Sequence, residues 1–139
     1  MDGIFLRTQM LIGRKNLDRL KSMHVAVFGI GGVGCYAAEC LVRSGIGNIS
    51  IFDNDTVGVT NINRQIIALG STLGINKVDV MKKRILDINP DANVHTNCCF
   101  YSKDNSDRFD FCEYDYIIDA IDTVSSKVEI IVNAKQAKT

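Results

Sequence analysis

The chain has 139 residues, 46% of them hydrophobic, and its 16 basic residues balance its 16 acidic residues. This length suits one domain with a substantial core, and the apolar content argues against disorder. The charge balance predicts no global basic field for nucleic acid, although it leaves room for a local basic patch. Because no apolar run is long enough for a membrane-spanning helix and the first ten residues lack a signal-peptide pattern, we expect a cytoplasmic protein.

The cysteines indicate a reducing environment. There are five of them, an odd number, and no two form a CxxC pair. Adjacent cysteines such as Cys98 and Cys99 do not suit a zinc site, and on a strand they would face opposite sides of the sheet. We therefore predict five reduced thiols without a metal or disulfide framework.

The first half of the chain alternates between helical and strand patterns. We predict a short helix over 11–21, a buried strand over 23–29, a helix over 32–44 that ends at a Gly-rich turn, and a strand over 48–52. A polar loop follows over 53–74, and its side chains are candidates for function because loops carry binding residues more often than packing residues.

The second half begins with an amphipathic helix that ends at Asn89-Pro90. Its apolar residues recur every three or four positions, at Val78, Met81, Ile85 and Ile88. We then predict a strand over 93–100, a short helix over 104–111, a strand over 114–120 and a helix over 125–137. This order predicts an α/β fold, Rossmann-like and three-layered, with a mainly parallel sheet. We divide the chain into an N-terminal helical segment, 1–22, and a nucleotide-binding domain, 23–139.

A GxGxxG motif follows the first predicted strand and opens the next helix, as nucleotide-binding loops do. Gly29 permits the tight turn, Gly31 and Gly32 let a phosphate approach the backbone, and Gly34 lets the helix pack closely. Asp53, at the end of the second strand, suits a ribose-binding carboxylate. The motif predicts a nucleotide but leaves its identity open, because NAD enzymes show the same pattern.

Cationic residues favour nucleotidyl transfer over hydride transfer. Arg64 and Lys77 could neutralise a triphosphate, with Arg7 as a third cation. Asp122, just past the fourth strand, suits Mg²⁺ better than Asp119, which we expect inside the strand as a satisfied polar group. Structural alternatives stay open, with Lys77 as an exposed helix lysine and Asp122 as a helix N-cap.

These motifs, in their order, resemble the ubiquitin-activating-enzyme-like adenylating superfamily of the ThiF/MoeB type. The matching pieces are Arg7, Gly29–Gly34, Ser44–Gly47, Asp53-x-Asp55-x-Val57, Asn61–Gln65, Gly74-x-x-Lys77-Val78, Ile88–Pro90 and Asp119–Asp122. The segments RTQMLIGRKNLDRL, HVAVFGIGGVG, NDTVGVTNINRQ and DYIIDAIDTVSSK most resemble the tRNA threonylcarbamoyladenosine dehydratases. Members of that group are longer, so the resemblance covers an N-terminal part, and this part alone need not be active.

The resemblance implies a homodimeric Rossmann-like enzyme that uses ATP and Mg²⁺. It implies adenylation of the carboxylate of N6-threonylcarbamoyladenosine in a tRNA anticodon loop, followed by cyclisation with loss of AMP. It also implies site roles. Gly31 and Gly32 hold phosphate and Asp53 binds the ribose, while Gly29, Gly34, Asp55 and Gln65 complete the cofactor-binding set. The catalytic residues are Arg64 and Lys77, which contact the triphosphate together with Asn61, Asp122, which supports Mg²⁺, and Arg7, which reaches a phosphate in the partner subunit.

Three alternatives remain at this point. The first is an enzyme that adenylates the C-terminus of a ubiquitin-like sulfur carrier and works with a sulfur-transfer protein. The second is an NAD-dependent oxidoreductase, and the third is a non-catalytic nucleotide-binding half-domain.

Overall fold

The computed structural model describes residues 3–139 as an α/β fold. The helices are α1 (Leu6–Ile12), α2 (Arg14–Ser22), α3 (Gly34–Ser44), α4 (Lys77–Ile88) and α5 (Val124–Ala137). The strands are β1 (His24–Phe28), β2 (Asn48–Phe52), β3 (Asn93–Asn97) and β4 (Tyr116–Asp119). Short 3-10 turns span Val59–Asn61, Gly70–Thr72, Lys103–Arg108 and Phe111–Glu113.

The four strands form one sheet in the order β3-β2-β1-β4, and every described pair is parallel. In the centre, Val27 of β1 pairs with Ile51 of β2 on one side and with Ile118 of β4 on the other. The chain runs outward from β1 to β3 and returns to the other side of β1 for β4. The carboxyl ends of β1 and β4 therefore border a topological switch point, where ligands bind in open α/β sheets.

Helices and turns cover both faces of the sheet, which confirms the three-layer prediction. On one face, α3 and α4 pack on the strands through a core that includes Val27, Ile49, Ile51, Val42, Met81 and Ile85. On the other face, α5 and the 3-10 turns enclose an aromatic core that includes Phe28, Phe52, Tyr101, Phe111 and Ile130. The predicted apolar face of α4 is confirmed, since Val78, Met81 and Ile85 are all buried.

The N-terminal helix predicted over 11–21 is wrong in its extent, because the structure has two helices there. Gly13 separates α1 from α2 at a φ of 81°, a conformation that other residues rarely adopt. Leu17 of α2 packs on the turn after α3, and a Cβ on Gly45 would come within 2.9 Å of its Cδ1. The N-terminal helix α2 thus packs against the Gly-rich turn.

The third strand is shorter than predicted over 93–100. Its described partner, β2, ends at Phe52, which pairs with Asn97, so no neighbouring backbone continues the ladder. Cys98 and Cys99 consequently lie beyond the strand, so the alternation of side chains across a sheet does not apply to them.

The sequence also carries expectations about the segment between β3 and β4, about the cysteines and about membrane-spanning helices. The helix predicted over 104–111 is wrong, because two 3-10 turns connect β3 to β4 instead. All five cysteines are free. No helix within residues 3–139 combines the length and the apolar character needed to cross a membrane.

Candidate functional site

A cleft of about 380 Å³ opens at the carboxyl ends of the strands, next to the switch point. The loop after β1, the loop after β2, the segment after β3 and the turn after β4 all contribute to its lining. The structure brings most of the sequence-predicted site residues to it: Gly29, Gly31, Gly32, Asp53, Asp55, Asn61, Arg64, Gln65, Lys77 and Asp122.

Two glycines of the loop after β1 are required by packing alone. Gly29 has a φ of 90°, and a Cβ there would come within 2.6 Å of the carbonyl oxygen of Ala120. A Cβ on Gly34 would overlap the carbonyl oxygen of Gly29. The start of α3 can therefore lie against β1 and the turn after β4 only if both residues are glycine. Gly34 has this packing role and does not line the cleft.

The other two glycines of the loop have room for a side chain. A Cβ on Gly31 would meet nothing nearer than the Nε2 atom of Gln65, at 3.9 Å, and a Cβ on Gly32 nothing nearer than Arg64, at 3.7 Å. Packing within residues 3–139 does not demand glycine at either position. Their backbone is instead left accessible from the cleft at the start of a helix, an arrangement that suits a phosphate group.

Asp53 joins the end of β2 to the glycine loop. Its Oδ2 atom accepts a hydrogen bond from the Ile30 amide at 2.7 Å, and its Oδ1 atom accepts one from the Asp55 amide at 2.8 Å. Because a carboxylate has about four acceptor positions, both oxygens can still accept hydrogen bonds from ligand hydroxyls. Asp53 thus orders the loop and keeps the capacity expected of a ribose-binding residue.

The polar loop after β2 is held by its own side chains. Asn61 accepts a hydrogen bond from the Gly58 amide at 2.9 Å through its Oδ1 atom. Arg64 is exposed, and its Nη1 atom donates to the carbonyl oxygen of Thr60 at 2.6 Å. Since a guanidinium has five N–H groups, most of its donors remain for a ligand in the cleft.

Lys77 is buried, with only 5% of its surface exposed, so its interpretation as an exposed helix lysine is wrong. Its Nζ atom pairs with the Oδ2 atom of Asp55 at 2.8 Å, and its amide donates to the carbonyl oxygen of the same residue at 3.0 Å. A buried ammonium group is costly without a partner, so this pair fixes the Lys77 side chain in the cleft wall.

Gln65 carries a buried acceptor without a donor. The residue is 5% exposed, and its Oε1 atom has no hydrogen-bond partner within residues 3–139. Leaving such a group unpaired costs free energy, and native structures contain few of them. Gln65 also lines the cleft, and the Nε2 atom of its amide lies towards the glycine loop, 3.9 Å from the position of a Cβ on Gly31.

Asp122 and Asp119 differ as the sequence indicates. Asp119 lies in β4 and pairs with Lys127 at 3.0 Å, so it is the expected satisfied polar group. Asp122 is exposed, and its carboxylate has no hydrogen bond or ion pair with any described residue. Thr123 occupies the N-cap of α5, so the alternative role of Asp122 as the cap is wrong.

The cleft lacks positive charge for a triphosphate. Three carboxylates in its lining, Asp53, Asp55 and Asp122, outnumber two cations, Arg64 and Lys77. The remaining sequence-predicted cation, Arg7, lies exposed on α1 and is not part of the lining. No group of three or more His, Cys, Asp or Glu side chains suited to a metal occurs in the described part of the chain.

Sequence reasoning missed the segment after β3, which also lines the cleft through Cys99, Phe100 and Tyr101. Its position beyond a strand's carboxyl end is the signal that could have revealed it. Phe100 is half exposed and offers an aromatic surface next to the site. Burial, with a smaller contribution from Cys98, raises the pKa of the Cys99 thiol above its usual range, which disfavours the nucleophilic thiolate.

Comparisons with known proteins bear on the family and the fold. The ThiF family model matches residues 5–139. The tRNA threonylcarbamoyladenosine dehydratase of Bacillus subtilis (strain 168) is 47% identical over 127 residues, which cover 91% of this chain and 50% of that protein. The crystal structure of the Escherichia coli tRNA N6-threonylcarbamoyladenosine dehydratase in complex with ATP superposes with a TM-score of 0.93 at 44% identity, covering 96% of this chain and 55% of that one.

A second group of relatives is more distant. The adenylyltransferase and sulfurtransferase uba4 of Ogataea parapolymorpha is 37% identical over 108 residues, which cover 78% of this chain and 28% of that protein. The chain spans about half the length of the dehydratases it matches. With the family model, the identities and the superposition in agreement over nearly all of its length, the chain belongs to the ThiF family.

Proposed function

We propose that the protein containing this chain uses ATP to adenylate the carboxylate of N6-threonylcarbamoyladenosine in tRNA and then cyclises the modified base. The observation that carries this proposal is the glycine loop, whose Gly31 and Gly32 backbone lines the cleft beside the side chains of Arg64 and Gln65. The supporting comparison is the 44% identity to a tRNA dehydratase whose crystal structure contains ATP.

The chemistry explains why ATP is needed. A carboxylate cannot expel its oxygen directly, whereas an acyl-adenylate expels AMP readily. The substrate carboxylate attacks the α-phosphorus of ATP, and pyrophosphate leaves. An atom of the same modified base then attacks the activated carbonyl carbon, AMP leaves, and the net change is loss of water. Because this ring closure is intramolecular, it needs no acceptor cysteine.

The residues of the cleft divide the work of positioning and charge neutralisation. Backbone amides of Gly31 and Gly32 hold phosphate oxygens, and Asp53 holds the ribose hydroxyls. Arg64 offers a planar fork to the triphosphate, and Lys77 offers a fixed point charge. Such positioned donors and charges are the main source of catalysis in phosphoryl transfer.

Because the lining of the cleft carries a net negative charge, the proposed binding of a triphosphate requires two additional cations. Mg²⁺ is the first, and Asp122 is its ligand, because Mg²⁺ sites commonly combine one or two carboxylates with phosphate oxygens and water. Arg7 of a second copy is the other, because this exposed residue is not part of its own chain's cleft. We therefore infer a homodimer, located in the cytoplasm with its tRNA substrate.

Two substitutions in the full-length protein test these roles. Arg64→Ala and Asp122→Ala should reduce pyrophosphate release by about 100-fold or more, because each removes charge compensation for the transition state. Both side chains are exposed, so the thermal midpoint should stay within about 2 °C of wild type. Near-normal pyrophosphate release by either variant would refute its assigned role.

The alternative substrate is the C-terminus of a sulfur-carrier protein, which the similarity to uba4 favours. Both substrates would use the same ATP-binding half. Full-length protein should be incubated with ATP and either unmodified carrier protein or tRNA that bears the linear base. Cyclic nucleoside detected by mass spectrometry supports the tRNA substrate. Pyrophosphate exchange that requires the carrier, with unchanged tRNA, supports the sulfur-carrier reaction and a sulfur-transfer partner. NAD serves as the control ligand and should not compete with ATP.

A further inference from the structure

Lys127 connects the turn after β4 to the body of the domain. Its Nζ atom lies 3.0 Å from the carboxylate of Asp119, the last residue of β4, and donates to the carbonyl oxygen of Ile121 at 2.9 Å. The Asp119 carboxylate also accepts a hydrogen bond from the Ile121 amide at 3.3 Å. Lys127 and Asp119 thus bind both backbone groups of Ile121, the residue that precedes Asp122.

Helix stability does not explain a lysine at this position. Lys127 follows closely on the start of α5 at Val124, near the positive end of the helix dipole, where a cation is unfavourable. The side chain is 39% exposed, so its ion pair with Asp119 contributes little to the overall free energy of unfolding. The contacts of Lys127 with Asp119 and Ile121 therefore explain why a lysine lies at this position.

The same turn lies directly against the glycine loop. The carbonyl oxygen of Ala120 would be 2.6 Å from a Cβ on Gly29, and the Cγ2 atom of Ile121 would be 3.0 Å from it. The glycine loop therefore supports one side of the turn, and Lys127 holds the carbonyl of Ile121. Asp122 projects from a segment that is fixed relative to the phosphate-binding backbone.

We propose that Lys127 is a positioning residue that holds the β4–α5 turn so that Asp122 meets the metal of bound MgATP. The metal role of Asp122 rests on the proposed function, whereas the anchoring of the turn does not. Residues that orient a metal ligand commonly change metal affinity about 10- to 100-fold when they are removed. Lys127 should accordingly affect the binding of MgATP and not the binding of metal-free ATP.

The test compares full-length wild type with Lys127→Met, which keeps the length of the side chain and removes its charge. Lys135→Met is the matched control, since Lys135 is an exposed lysine in the last turn of the same helix. Hydrogen exchange of the ligand-free proteins reports on the Ile121 amide. Calorimetry measures the affinity for ATP with Mg²⁺ and with EDTA.

For Lys127→Met we expect exchange at the Ile121 amide to rise about tenfold or more, because the bonds from Lys127 that hold the Ile121 carbonyl and the Asp119 carboxylate, the acceptor of that amide, are lost. The affinity of Lys127→Met for MgATP should fall about tenfold, while its affinity for ATP in EDTA stays at the wild-type value. Lys135→Met should keep wild-type exchange at Ile121 and wild-type affinity for ATP. Unchanged exchange at Ile121 overturns the proposal, and so does an equal loss of affinity with and without Mg²⁺. If the wild type binds no MgATP, the proposed function fails, and exchange at Ile121 still decides the anchoring.

Discussion

The glycine loop, residues 29–34, and the polar loop, residues 53–76, line the same cleft but are built in different ways. The glycine loop is shaped by packing, since two of its positions admit no Cβ. The polar loop is shaped by hydrogen bonds from its backbone amides to the side chains of Asp53 and Asn61, and by the ion pair of Asp55 with Lys77, the first residue of α4. We therefore expect substitutions in the first loop to act on folding or on phosphate access, and substitutions in the second to act on charge.

The largest expected effect separates two glycines of the same loop. Gly34→Ala should lower the free energy of unfolding by about 3 kcal/mol or more, because the new Cβ overlaps the Gly29 carbonyl and the backbone must move. Gly31→Ala should change it by less than about 1 kcal/mol, because its Cβ would make only an ordinary contact with the Nε2 atom of Gln65, at 3.9 Å. Urea unfolding of the full-length variants measures both values.

The ATP affinity of Gly31→Ala should change even though its stability does not. Gly31→Ala should stay folded and lose about tenfold or more in ATP affinity, since a methyl group would occupy the space above the phosphate-binding backbone. Gly70→Ala, in the polar loop, is the control, because none of the described atoms comes within 4 Å of its added Cβ. If Gly31→Ala bound ATP normally, the phosphate would have to lie elsewhere in the cleft.

The next effect concerns the ion pair between Asp55 of the polar loop and Lys77 at the start of α4, whose two partners should respond unequally to substitution. Asp55→Asn leaves the buried Lys77 ammonium without its counterion and should cost about 1–2 kcal/mol of unfolding free energy. That value is modest because the Asp55 side chain is 60% exposed and water can replace part of its contact. Lys77→Met removes the buried charge altogether and should cost less than about 1 kcal/mol.

Lys77→Met, the less destabilising of the two substitutions, should cause the larger loss of activity. Lys77→Met removes a cation from the triphosphate site and should abolish pyrophosphate release, whereas Asp55→Asn should retain a measurable part of it. Denaturant unfolding measures the stability of each variant, and a pyrophosphate assay on the same preparations measures its activity. Equal destabilisation by the two variants would show that the ion pair does not control the Lys77 side chain.

The contrast between the loops also explains which features the sequence alone could predict. The strand before Gly29, the helix after it and the face shared by Val78, Met81 and Ile85 depend on local spacing, and the structure confirms them. The burial of Lys77 depends on Asp55, which lies 22 residues earlier in the chain. No periodicity within one helix carries information about such a distant partner.

Other differences also arise from contacts between distant segments. The third strand ends at Asn97 because its neighbour ends at Phe52, a limit set by pairing and not by the residues that follow. Phe100 joins the cleft because of where that strand stops. Arg7 lies outside its own chain's cleft, so its predicted contact depends on a second copy. Each of these features requires the assembled sheet or a partner.

The smallest expected effect concerns Gln65, which stands where the two loops meet. Gln65→Met replaces a buried, unpaired acceptor by an apolar group of similar size, so the ligand-free protein should become more stable by about 1 kcal/mol. The affinity for ATP should fall in the same variant, because the Gln65 amide no longer offers a hydrogen bond to the nucleotide in the cleft. Thermal unfolding with and without MgATP measures both changes: the midpoint should rise without ligand, and the ligand-induced shift should shrink. A larger shift in the variant would mean that Gln65 serves the packing of the polar loop and not the nucleotide.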